Sequence, residues 1–353
     1  MVYLDLMNKS SLSNPAAPLP QRIQLRVGTE EDEIPTFEVM RRAMKIEVVW
    51  EHHRRLRDHL RVSDGSSFQV AEEISRVGKP RIVGYARSIV REDVWMLTEF
   101  FLIPGYQHRG LGKALLTQVL LSATTSGAKR KLILASQDPA ADALYIKMAG
   151  CIPRVPMLML SGSPKRLKVS GNEADSVVDT EDEYVPYRQK PRFIAEPLLL
   201  TPEITAEINR MDRRSVGFAR PQEHAYWTEE MSGDRGTSRL FREVDEKGNT
   251  GEIVGYAYAG RDCGGPVSAT EAEYLPHFFS HVMGRVEAKR KRHFDLGFMD
   301  TNETHVSLAG TNEVALRWLL GCGWRITSQF LLMTDFTPGN LEGYLGHHPP
   351  ALL

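Results

Sequence analysis

The segment of this 353-residue chain best equipped for chemistry is Gln107-His108-Arg109-Gly110-Leu111-Gly112-Lys113. An apolar run, Trp95 to Ile103, leads into the break Pro104-Gly105-Tyr106, and an amphipathic segment with Leu111, Ala114, Leu115 and Val119 on one face opens at Gly110. That order reads as strand, turn and helix start. The first turn of a helix leaves backbone N–H groups without partners and adds the positive end of the helix dipole. Glycines at 110 and 112 let a pyrophosphate approach those amides, and Arg109 and Lys113 supply positive charge. The chemistry implied is phosphate binding. A dinucleotide fold fits poorly, because its fingerprint follows the first strand and wants a third glycine and a later acidic residue.

Other clusters carry less. Glu51-His52-His53-Arg54-Arg55-Leu56-Arg57-Asp58-His59 lacks the paired i, i+4 histidines of a helical metal site and reads as a solvated helix face. Lys289-Arg290-Lys291-Arg292 is a short basic cluster at a helix end, in a chain whose net charge is −1. It complements the helix dipole and does not imply nucleic acid. Cys151, Cys263 and Cys322 lie far apart in sequence and read as buried, reduced thiols of a cytoplasmic protein. No apolar run approaches the roughly 20 residues of a membrane span, and the N-terminus lacks the basic-then-apolar pattern of a secretory signal. The expectation is a protein with no metal, no nucleic acid and no membrane partner.

The elements that must position the phosphate loop are written twice. Ile82-Val83-Gly84-Tyr85-Ala86 recurs letter for letter as Ile253-Val254-Gly255-Tyr256-Ala257, and Leu144 to Cys151 parallels Arg317 to Trp324 at nearly the same spacing. Residues 1–20 read as a flexible leader, 21–160 as a first domain, 161–191 as an acidic linker or surface loop, 192–337 as a second domain and 338–353 as a C-terminal tail. In the first domain, strands are expected near 22–27, 67–72, 80–90, 95–103 and 131–135, with helices over 31–60 (split near Lys45), 110–123 and 139–149. Asp138 is the expected N-cap of the last helix, Pro139 its first residue and Gly150 its end. The second domain repeats the order. The pattern predicts α/β domains in tandem, with mixed, mainly antiparallel sheets flanked by helices.

Thr98 through Leu116 resembles motif A of the GNAT acetyltransferase superfamily, and Asp138 to Cys151 resembles its motif B, an alanine-rich helix with a tyrosine, ending in glycine. The resemblance is good over 22–160 and weak over 193–337, so the whole chain is similar to a tandem GNAT protein. It implies a sheet splayed to seat acetyl-CoA. Main-chain groups of Leu102 and Ile103, beside Phe101, would bond the pantetheine arm. Gln107, His108, Arg109, Gly110, Leu111, Gly112 and Lys113 would surround the pyrophosphate, with Asp138 and Ala141 at the start of the next helix. Asp138 departs from the asparagine often found there.

Transfer to an amine needs a neutral nucleophile, because an alkylamine of pKa about 10.4 is protonated at pH 7. The resemblance implies Glu99 as general base, through water or directly; the alternative is a structural carboxylate. It implies Tyr145 as the acid that protonates the thiolate, since a phenol of pKa about 10 matches a thiol in basicity; the alternative is a core aromatic. In the second domain Thr270-Glu271-Ala272-Glu273 stands roughly where a phosphate loop would be, and Trp318 stands in for the tyrosine. Two carboxylates disfavour a pyrophosphate and an indole is no acid, so that copy reads as non-catalytic. The expected function is an acetyl-CoA-dependent N-acetyltransferase with an amine acceptor, acting as monomer or homodimer. The alternative is a CoA-binding regulatory or scaffold protein without turnover.

Overall fold

The computed structural model describes residues 22–63, 67–74, 79–167, 192–245, 247–260, 263–294, 303–347 and 352. The expected leader, nearly all of the acidic linker and the final prolines lie outside the described residues. The first half runs β1 (Ile23–Val27), α1 (Glu33–Met44), α2 (Trp50–Val62), β2 (Ser67–Glu73), β3 (Arg81–Arg91), β4 (Val94–Leu102), α3 (Leu111–Thr125), β5 (Arg130–Ser136), α4 (Pro139–Ala149) and β6 (Ile152–Gly162). The second repeats it: β7 (Phe193–Pro197), α5 (Pro202–Ser215), α6 (Pro221–Glu230), β8 (Gly236–Val244), β9 (Thr250–Gly260), β10 (Gly264–Ala269), α7 (Leu275–Phe294), β11 (Thr304–Ala309), α8 (Glu313–Gly321) and β12 (Arg325–Thr334). A short strand, β13 (Tyr344–Gly346), follows.

Local chemistry sets several of these boundaries. Lys45 adopts a left-handed conformation (φ 55°) that ends α1, as the expected split requires. Asp138 caps α4 by accepting from the N–H groups of Ala140 and Ala141, and Gly150 closes it at φ 73°. The repeated pentapeptide has a packing reason. A Cβ on Gly84 would collide with Leu102 of β4, and one on Gly255 would collide with Phe278 of α7. The glycine makes room for a side chain of the next strand in the first copy and of the helix α7 in the second.

The strands do not form two separate sheets. They make one thirteen-stranded sheet in the order β1-β2-β3-β4-β5-β12-β6-β11-β13-β10-β9-β8-β7, in which β4–β5 is a parallel pair and the other strand pairs are antiparallel. The last strand of each copy crosses over: β12 pairs with β5 of the first copy, and β6 pairs with β11 of the second. The exchange is symmetric. Every described β5–β12 pair, from Leu132↔Thr334 to Ser136↔Phe330, recurs in β11–β6, from Thr304↔Gly162 to Leu308↔Leu158, at a constant offset of 172 residues.

The core follows this plan. Leu111, Leu115, Val119 and Tyr145 pack under α3 and α4, and Phe278, Phe279, Val282 and Leu319 pack under α7 and α8. A third cluster joins Leu56 and Leu60 of α2 to Ile208, Met211 and Trp227 of α5 and α6, so the copies share one apolar layer. Cys151 is buried, which pushes its thiol up to about 12; Cys263 and Cys322 are half-buried, less enclosed than expected. Among the described residues no helix is long and apolar enough to cross a membrane.

Candidate functional site

The site of the first copy begins where β4 and β5 part. Their pairing runs from Val94↔Arg130 to Leu97↔Ile133 and stops there, while β4 stays paired with β3 as far as Leu102. A register shift at the same place leaves Thr98 unmatched, between Arg87↔Glu99 and Ser88↔Leu97. The Ile103 N–H donates to Val83 O at 2.9 Å, which sets the phase of the ladder. Glu99 and Phe101 turn their main-chain groups toward β3; Phe100 and Leu102 turn theirs into the fork. The Ile103 N–H is taken by Val83, and its carbonyl accepts from Tyr106 N–H at 3.1 Å.

After the fork comes the loop 104–110 that leads into α3. Gln107, His108 and Arg109 are exposed, and Gly110 is the N-cap of α3 at φ 79°, with no side-chain cap. The first helical bond, Ala114 N–H to Gly110 O, leaves the amides ahead of it pointing outward. Gly110 needs its glycine for the backbone angle, since a Cβ there meets no atom within 4 Å. At Gly112 the need is closeness: a Cβ would stand 3.3 Å from the Phe100 ring. His108 also holds a left-handed angle (φ 60°). Leu111 is buried and anchors α3, and Lys113 is half-buried beside the loop. Asp138 is committed to capping α4, beside Ala141.

Tyr145 lies on α4, 6% exposed, with its ring 6.0 Å from that of Phe100. Burial, aided by Asp142 and Asp138, pushes its phenol well above the ordinary value, so it holds its proton at neutral pH. Glu99 faces the opposite side of the sheet, in a square of charges. Arg57 donates to Glu99 Oε1 at 2.8 Å and to Glu33 Oε2 at 2.9 Å; Arg87 Nη2 donates to both oxygens of Glu33 at 2.8 and 2.9 Å. Arg87 Nε stands 3.2 Å from Glu99 Oε2 without the alignment of a hydrogen bond. These side chains are at most 9% exposed. Tyr85 OH adds a bond to Glu99 Oε1 at 3.2 Å. The sequence reading missed Glu33, Arg57 and Arg87; two arginines inside the apolar strand Ile82 to Val90 and its continuation, Arg87 and Arg91, were the available signal.

The second copy closes its fork. There the direct β10–β11 contact shrinks to one parallel bridge, Cys263↔His305, and β13 lies between the strands. Leu345 and Tyr344 pair with Val267 and Ser268 on one side, and Leu345 and Gly346 with Leu308 and Ser307 on the other. The β3–β4 and β9–β10 registers make Val267 and Ser268 the equivalents of Phe100 and Phe101. Tyr344 OH accepts from Arg220, itself paired with Asp212 at 2.9 Å, which locks β13 down. Beside it a cavity of about 540 Å³ is lined by Glu271, Glu273, Glu313 and Glu342. Trp318 is buried against Phe279.

Residues 32–150 match the Acetyltransferase (GNAT) family. The whole chain superposes on a GCN5-related N-acetyltransferase from Sphaerobacter thermophilus, with TM-score 0.59, 12% identity, and 91% of this chain and 97% of that one covered. It also superposes on a Pyrococcus horikoshii protein described as an acetyltransferase (0.59, 14%, 93% and 95%). A tandem GNAT protein from the clavulanic acid biosynthesis pathway gives 0.54 at 13% identity, with 90% and 98% covered. At such identities the likeness is one of fold. No curated protein matches the chain.

Proposed function

Taking as premise that residues 32–150 are a GNAT-family domain in a chain of tandem GNAT fold, we propose that the first copy transfers an acetyl group from acetyl-CoA to an amine in a ternary complex. In this proposal the second copy has no turnover, and the protein works in the cytoplasm as monomer or homodimer.

The contrast between the two forks carries the reading. The second fork grips an extended, amide-bearing strand from both sides. The first, built on the same register, therefore suits an extended ligand arm with amides, as in pantetheine. The unpaired amides of the α3 first turn, with Arg109 and Lys113, suit a pyrophosphate at its end.

Bound acetyl-CoA would supply a thioester carbonyl and a thiolate leaving group. Main-chain groups of Phe100 and Leu102 orient the arm. Tyr145 keeps its proton and delivers it to the sulfur. Glu99 serves the amine side, taking directly or through an ordered water the proton that the amine loses as the amide forms. Arg57 and Arg87 hold that carboxylate in place from two sides.

That pinning also favours the alternative, a carrier-binding protein without turnover. Thiol release measured across small amines, amino acids and peptides separates the two. Release with any amine supports transfer; acetyl-CoA binding with no release across the panel supports the alternative.

A further inference from the structure

The helix that holds Glu99 is also the helix that meets the second copy. Arg57 of α2 reaches inward to Glu99 and Glu33. Two residues on, His59 faces α6: its Nε2 lies 3.1 Å from Glu223 Oε1, and its ring stacks on Tyr226 with centroids 4.6 Å apart. Arg91, at the end of β3, joins the two sides. It donates Nε to both Glu223 oxygens at 2.7 Å and Nη2 to Ser63 Oγ at 2.9 Å, just past α2. Arg91 and Glu223 side chains are 0% and 2% exposed, so salt does not screen them as it screens a surface pair. Burial raises the Glu223 carboxyl, but the bonds from His59 and Arg91 outweigh it and hold the group down at about 2. Arg87 completes the frame by donating to the main-chain carbonyl of Arg57 at 3.1 Å.

We propose that Glu223 of the second copy is a positioning residue for the first copy's acceptor side: it fixes α2 through Arg91 and His59, and α2 fixes Glu99 through Arg57. The degenerate copy then has a defined task, holding one wall of a site it does not contain. The phosphate loop and the fork lie across the sheet and do not depend on this bond. The activity arm of the test rests on the proposed transfer to an amine; the exchange arm does not.

Glu223→Gln keeps the shape and removes the charge, leaving Arg91 buried without its counter-ion. In the full chain, hydrogen exchange over residues 50–62 is expected to quicken at least tenfold, with exchange over 111–125 unchanged. Turnover at saturating acetyl-CoA is expected to fall at least tenfold, with acetyl-CoA affinity within twofold of the parent. His59→Phe keeps the stack on Tyr226, removes the bond to Glu223, and should give the same split at smaller size; it decides the matter if the first variant fails to fold. Parent-like exchange in α2, or equal loss in α2 and α3 with weakened acetyl-CoA binding, overturns the proposal. If the parent binds acetyl-CoA yet acetylates no amine, the proposed activity fails, and the exchange pattern still decides the role of Glu223.

Discussion

Glu99 is held between two guanidiniums, and that placement shapes the role proposed for it. The phenol of Tyr145 is buried and raised. Tyr145→Phe is expected to lower turnover at least tenfold, about 1.4 kcal/mol of transition-state stabilisation, with acetyl-CoA affinity unchanged. Because the phenol is raised, activity should not fall through its ionisation below about pH 10. Steady-state rates over pH 6–10, for parent and variant, check both. The local features at this scale were legible in the sequence: Asp138 as cap, Gly150 as helix end, Gly110 as a turn. Each depends on residues a few positions apart. The square of Glu33, Arg57, Arg87 and Glu99 was not legible, because its hydrogen bonds, on three of its four sides, join residues 24 to 54 positions apart.

At the level of elements, the first copy's strands and helices fall near the ranges that their periodicity predicts. The strands left unassigned are those the copies exchange. Pro153 and Pro156 interrupt the alternation of β6, and the exposed start of β12, Arg325 to Gln329, has no buried face to reveal it. β13 has three residues, too few to show a period. Its meaning lies in where it sits, and Tyr344 is its lock. Tyr344→Phe removes the hydroxyl that accepts from Arg220 at 2.9 Å, in a pair 1% exposed or less. The expected cost is about 1–3 kcal/mol in urea unfolding, with acetyl-CoA binding to the first copy untouched. An unchanged midpoint would mean that β13 rests in the fork without being held there.

For the whole molecule, the repeated pentapeptide announced the duplication, but no local pattern announced that the copies trade strands. The exchange makes the halves interdependent. Residues 22–167 alone would lack β12 and leave open edges on β5 and β6, an invitation to pair with other chains. That fragment is expected to aggregate or dimerise on size-exclusion chromatography, and co-expression with 192–347 to restore a compact heterodimer. A well-behaved monomeric fragment would show that the exchange is dispensable. The central claim is narrower: one copy holds the acyl carrier, by the amides that open α3. Calorimetric titration of acetyl-CoA into the parent and into Gly110→Val, whose side chain cannot comfortably adopt φ 79°, tests it most directly. The expected result is about one equivalent per chain for the parent and affinity weakened at least tenfold for the variant. Two equivalents, no binding to the parent, or undiminished affinity in the variant would contradict it.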